Sequence, residues 1–270
     1  MIREGIIQTV KLGEKEMDWF RFGKEKGPKL VILPGVSLKS VMGSKDAVIG
    51  AYSLLAKDYD IYLLDRIRVF PEGYDVRQMA EDSLRALQAI GLYKVHLMGV
   101  SQGGMIAMMM AIREPEAVQS MTLCSTSAKM EDSAALEAWM KLAEERNLPA
   151  LMEAFGEAVY TPSFYAKYKD LIIASGAGAE EQDFRNFIIS LRGTAGFDCL
   201  EELQGVRCPC FVIGASEDRV VGAEVSIALS ERLQCERFIY EGYGHASYDE
   251  APDYLTHIKA FLDGQSGNCS

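Results

Sequence analysis

Apolar residues along this chain gather into short runs separated by charged or glycine-bearing breaks. Lys29-Leu30-Val31-Ile32-Leu33, Ile61-Tyr62-Leu63-Leu64-Asp65 and Val95-His96-Leu97-Met98 are nearly continuous, without the alternation of a half-exposed strand. Such runs predict strands buried on both faces, and the stretch 120–125 predicts another. Ahead of them, residues 5–12 and 15–23 flank Gly13-Glu14 and predict an antiparallel hairpin. Helical spacing fills the intervals. One helix is expected over 45–57, and a second starts at the acidic cap Asp75 and carries Met79, Leu84, Leu87 and Ile90 on one face up to Gly91. A third runs through 105–112 and is ended by Pro115.

After residue 125 the pattern changes. Residues 126–206 show no convincing strand, only helical segments over 134–146, 151–159, 164–174 and 181–192. The alternation then resumes, with strands over 209–214 and 236–240, helices over 223–233 and 252–262, and a frayed tail over 263–270. Alternating strands and helices with short connections predict an α/β architecture, a mostly parallel eight-stranded sheet with helices on both faces. Residues 1–125 and 207–270 would form this core, and 126–206 a helical lid over the sheet's carboxyl edge. Most of the lid's aromatic and methionine side chains are expected to pack its helices together, with a few facing a pocket.

Composition narrows the partners. The 270 residues are 49% hydrophobic and 25% charged, an ordinary globular balance, and the formal charge of -11 repels phosphate backbones and anionic lipid alike. Nucleic acid and membrane partners are not expected, and a small-molecule substrate is. The amino terminus has no basic patch leading into a long apolar stretch, so a cytoplasmic protein is expected, either a monomer or a homodimer. Six scattered cysteines read as reduced thiols, and Cys208-Pro209-Cys210, the one close pair, lacks the spacing of a redox or metal motif.

The chemistry centres on Gly99-Val100-Ser101-Gln102-Gly103-Gly104, between the strand ending at Met98 and the helix beginning at Met105. A tight strand-to-helix turn lifts a serine hydroxyl above the sheet and needs small neighbours where the two backbones approach. Serine is a weak nucleophile at neutral pH and requires an imidazole to take its proton and a carboxylate to orient that imidazole. Three histidines are available. His96 falls within a strand and is expected in the core or on a sheet face; His257 falls mid-helix and is expected to be partly exposed. His245 lies in the glycine-flanked loop Glu241-Gly242-Tyr243-Gly244-His245-Ala246, directly after the last strand. Asp218 lies in the loop after the 209–214 strand, at the edge where parallel sheets place their sites, with Glu217 as the neighbouring competitor.

Nucleophile, acid and histidine in that chain order, with an elbow between strand and helix, resemble the α/β-hydrolase superfamily. The resemblance rests on Gly99 to Gly104, Gly214-Ala215-Ser216-Glu217-Asp218 and Gly242-Tyr243-Gly244-His245, and extends over about residues 5–262. It implies an inserted helical cap at 126–206, a triad of Ser101, His245 and Asp218, and an oxyanion hole made by the backbone N–H groups of Gln102 and Val36. No metal or organic cofactor is implied. The implied activity is hydrolysis of a small to medium acyl substrate, an ester or lactone, through an acyl-enzyme. The same residues would equally serve C–C bond hydrolysis, acyl transfer or lyase chemistry, and a non-catalytic binding relative is the remaining alternative. Two departures stand out. Pro34-Gly35 occupies the place of the superfamily's usual His-Gly, and Asp65-Arg66-Ile67-Arg68 replaces a glycine-rich turn, with Arg66 and Arg68 expected as surface or salt-bridging groups.

Overall fold

The computed structural model describes residues 2–3, 5–131 and 133–266. Eight strands of five or more residues carry one sheet: β2 (Gln8–Leu12), β3 (Lys15–Lys24), β4 (Lys29–Leu33), β5 (Asp60–Ile67), β6 (Val95–Val100), β7 (Val118–Cys124), β8 (Cys210–Ala215) and β9 (Glu236–Tyr240). A two-residue strand, β1 (Ile2–Arg3), adds to the free side of β3. The order is β1-β3-β5-β4-β6-β7-β8-β9, with β2 also paired to β3. From β5 to β9 every pairing is parallel, whereas β3 runs antiparallel to its neighbours.

Strand chemistry explains this layering. Every residue of β6 and of β8 is buried, which suits central parallel strands covered on both sides. Within β4, Val31 and Leu33 enter one apolar cluster and Leu30 and Ile32 the other, as the two-residue period of a strand requires. The first cluster is roofed by α3 (Val76–Ala89), α4 (Gln102–Arg113) and α9 (Ala223–Leu233); the second by α2 (Ser53–Ala56) and α11 (Tyr254–Ser266). Asp75 caps α3 in a reciprocal box with Gln78, and the α4 residues Gln102 to Ala111 are all buried. The helix expected over 45–57 is divided at Tyr52 into α1 (Lys45–Ala51) and α2.

Four helices lie between β7 and β8: α5 (Ala134–Glu144), α6 (Leu148–Val159), α7 (Pro162–Ser175) and α8 (Glu181–Thr194). The β-pairing there among the described residues is an isolated bridge, Lys129 with Asp198. Leu136, Trp139, Phe187 and Leu191 join the same apolar cluster as α4, so these helices pack on the sheet layer rather than around a core of their own. A short α10 (Ser247–Glu250) follows β9. The carboxyl end differs from the expected frayed tail over 263–270. Helix α11 continues to Ser266 because Asp263 accepts from Tyr59 Oη at 2.8 Å and pairs with Lys259 one turn back at 2.8 Å; residues 267–270 lie outside the described residues. Among the described residues no helix is long and apolar enough to cross a membrane.

Candidate functional site

The sheet order places the site. The chain leaves β4 for β5 on one side, then returns to β6 on the other, so the loops after β4 and β6 diverge over a topological switch point. Leu33 and Gly99 are partners in register, and the two loops therefore start side by side. Between β6 and α4, Ser101 adopts φ 51°, ψ -121°, a backbone region unfavourable for a residue with a Cβ. Its strained turn is held by its N–H, which donates to Cys124 O at 2.8 Å, and by its carbonyl, which accepts from Gly104 N at 2.8 Å, Thr126 Oγ1 at 2.6 Å and, at longer range, Met105 N at 3.4 Å. The glycines are required by contact. A Cβ on Gly99 would come within 2.4 Å of Gly103 O, and one on Gly103 within 2.0 Å of Leu33 O.

Asp218 and His245 meet as the sequence predicts. His245 Nδ1 lies 2.8 Å from Asp218 Oδ2, and both residues are buried. The other carboxylate oxygen, Oδ1, accepts from the amides of Val220 at 2.8 Å and Val221 at 3.0 Å, fixing the plane of the group. Burial pushes the Asp218 carboxyl up, but the His245 ring and the two amides outweigh it and hold the group below the ordinary carboxylate range. Glu217, the sequence competitor, is exposed and contributes its backbone instead: its N–H donates to Tyr243 O, and Gly242 N donates to Ser216 Oγ. These bonds stitch the loop after β8 to the loop after β9. Ala246 N donates to Val159 O at the end of α6, and a Cβ on Gly244 would approach that same carbonyl to 2.8 Å.

Ser101, His245, Val36 and Gln102 line one cavity. Its free volume is about 30 Å³, room for a water or two, and its remaining wall is mostly apolar, with Trp139, Phe155 and Leu191 from the inserted helices facing Met105 and Val220. Trp139 and Phe155 pack on each other at 4.7 Å between ring centroids, while Tyr160, Phe164 and Tyr168 stack away from this wall. Among the described residues, neither Val36 N–H nor Gln102 N–H donates to an acceptor in the chain. A second, more polar cavity of about 180 Å³ opens on the other side of Val36, lined in part by Ser40, Asp65, Arg66 and Asn186.

The remaining sequence expectations divide. His96 is fully buried in β6, with Nδ1 2.7 Å from Ser120 Oγ. His257 is half-buried on α11, 3.4 Å from Asp253. Arg68 is an exposed ion-pairing residue, bonded to Glu16 and Asp18. Arg66 departs from that expectation. It is buried, and its Nη2 donates to Pro34 O at 2.6 Å and Gln102 Oε1 at 2.8 Å. Gln102 in turn donates through Nε2 to Ser190 Oγ at 2.8 Å and Thr194 Oγ1 at 2.7 Å on α8. No local pattern announces these contacts, because their partners are 32 to 92 residues apart in the chain.

Comparison with known proteins agrees with this fold. A family model described as the α/β-hydrolase fold matches residues 30–169, just over half of the chain. A 3-oxoadipate enol-lactonase of Acinetobacter baylyi is 25% identical over 190 residues, 69% of this chain and 70% of that protein. A protein of Pseudomonas savastanoi, named as a candidate carbamate hydrolase, is 24% identical over 254 residues, 87% of this chain and 93% of its own length. Among solved structures, an α/β-hydrolase enzyme from a deep-sea metagenome library of the Medee basin superposes with a TM-score of 0.83. It is 22% identical and covers 97% of this chain and 98% of its own.

Proposed function

Because this chain belongs to the α/β-hydrolase family, we propose that it is a serine hydrolase acting on a carboxylic ester or lactone through Ser101, His245 and Asp218. One observation carries this reading: His245, hydrogen-bonded to Asp218, lines the same cavity as Ser101 and the two unengaged N–H groups of Val36 and Gln102. With Nδ1–H directed to Asp218, the imidazole offers Nε2 as a base. Ser101 Oγ then bonds to the carbonyl carbon as its proton passes to Nε2, and the carbonyl oxygen takes the negative charge between the two amides. Collapse breaks the C–O bond, and the imidazolium proton goes to the departing alkoxide. Water repeats the sequence on the acyl-enzyme and frees Ser101. In a lactone the alkoxide stays tethered to the acyl group, so one open hydroxy acid is released.

Two features support a small acyl group. The wall beyond Ser101 is apolar and narrow, and one relative carries the name of an enol-lactonase. Helices α5 to α8 act in this reading as the lid, contributing Trp139, Phe155 and Leu191 to the acyl wall and excluding water from the oxyanion. The test is Ser101→Ala. Fluorophosphonate labelling should disappear, and hydrolysis of p-nitrophenyl acetate should fall by roughly 10⁴-fold or more. Labelling that persists undiminished in this variant rules out Ser101 as the nucleophile.

A further inference from the structure

An oxyanion hole is useful only if its donors are fixed before the charge appears, since movement during reaction forfeits the stabilisation. Here the two donors come from separate loops. Val36 follows β4 through Pro34-Gly35, and Pro34 has no N–H with which to anchor that loop. Its carbonyl is the available handle. Gln102 begins α4, and its own backbone N–H must stay unengaged, so its side chain is the available handle there.

A single nitrogen grips both handles. Arg66 Nη2 donates one hydrogen to Pro34 O at 2.6 Å and the other to Gln102 Oε1 at 2.8 Å. The far end of the Gln102 amide is fixed on α8 by Ser190 and Thr194, so it has no slack. Arg66 itself sits in an expensive place. It is 9% exposed, its Nε is buried with no partner among the described residues, and Asp65 does not touch the guanidinium: its oxygens accept from the Arg66 backbone N–H at 2.8 Å and Ser40 Oγ at 2.5 Å. Burial pulls the guanidinium down from its ordinary value and Asp65 opposes that only through space. A desolvated cation without a contacting carboxylate costs stability, and an apolar residue would fill the volume at lower cost.

We propose that Arg66 is the positioning residue of the oxyanion hole, holding the Val36 and Gln102 N–H groups at a fixed separation by clamping Pro34 O and Gln102 Oε1 with one guanidinium nitrogen. This rests on the reading of Ser101 as nucleophile. A lysine cannot reproduce it fully, since its ammonium has no rigid planar geometry aimed at two acceptors.

The test compares wild type, Arg66→Met and Arg66→Lys. Active serine is titrated with a fluorophosphonate, p-nitrophenyl acetate kinetics are expressed per titrated site, and inhibition by a methyl trifluoromethyl ketone is measured, whose serine adduct places an oxyanion in the hole. In Arg66→Met, kcat per site should fall about 100-fold with KM within about threefold, and ketone affinity should fall in step with kcat. Arg66→Lys should lose about tenfold, because it keeps the charge and one bond. A role confined to folding would lower the titrated fraction and leave kcat per site unchanged. If kcat per site stays within about threefold of wild type in both variants, the assignment is overturned. Should Arg66→Met fail to fold, Arg66→Lys decides by the same criterion. Wild-type protein that neither labels nor binds the ketone overturns the Ser101 reading, and this assignment with it, before any Arg66 variant is measured.

Discussion

Two of the three histidines are buried almost equally, His96 at 0% and His245 at 3% exposed, yet their surroundings could hardly differ more. His96 sits inside β6, and its partner Ser120 is its register neighbour on β7. A hydroxyl does not repay the cost of a positive ring, Nε2 has no partner among the described residues, and burial pushes its pKa down to about 4. His245 lies past the carboxyl end of β9 beside a carboxylate whose second oxygen is already pinned by two amides. Burial alone therefore does not fit an imidazole for the base's role proposed for His245. What matters is an oriented negative partner on one nitrogen and an open cavity for the other. Loops at the carboxyl edge of the sheet can supply both, and a mid-strand position can supply neither.

The comparison breaks most visibly at Asp218. Asp218→Asn keeps the shape but offers an amide where His245 needs an acceptor, which favours the wrong tautomer. Its kcat for p-nitrophenyl acetate should fall by roughly 10³ to 10⁴-fold. A loss under about tenfold would mean that the carboxylate is not what distinguishes His245 from His96.

The same contrast explains which features the sequence made readable. Ser101, Asp218 and His245 each sit in a short motif at a strand end, where glycine and loop composition carry the signal locally. The mostly parallel sheet follows from alternation, and the antiparallel hairpin from Gly13-Glu14. Arg66 was not readable as a buried clamp. Its partners Pro34, Gln102 and, through Gln102, Ser190 and Thr194 come from three separate segments, and an arginine at a strand end more often reaches solvent. Arg68, two residues on, does so. The extension of α11 to Ser266 was equally hidden, because it depends on Tyr59, about two hundred residues away from Asp263. The break at Tyr52 has no evident cause in its sequence neighbours.

The smaller effect tests the other half of the pair. A folded-state pKa of about 4 for His96 lies below the ordinary 6.5, so the unfolded chain takes up a proton first as pH falls. The stability that neutral His96 preserves is therefore complete above about pH 6.5 and declines as pH falls toward 4, where the folded ring begins to protonate as well. At pH 4.5 the loss amounts to roughly 2 to 3 kcal/mol relative to pH 7.5. His96→Asn has no such proton to gain while keeping a polar group for Ser120. In urea denaturation its stability deficit against wild type should shrink by that amount between pH 7.5 and 4.5, while kcat per titrated serine stays within about threefold. A deficit that is constant across this window would show that His96 is not held neutral by its burial, and a large drop in kcat per site would give it a part in the chemistry that its place in β6 denies.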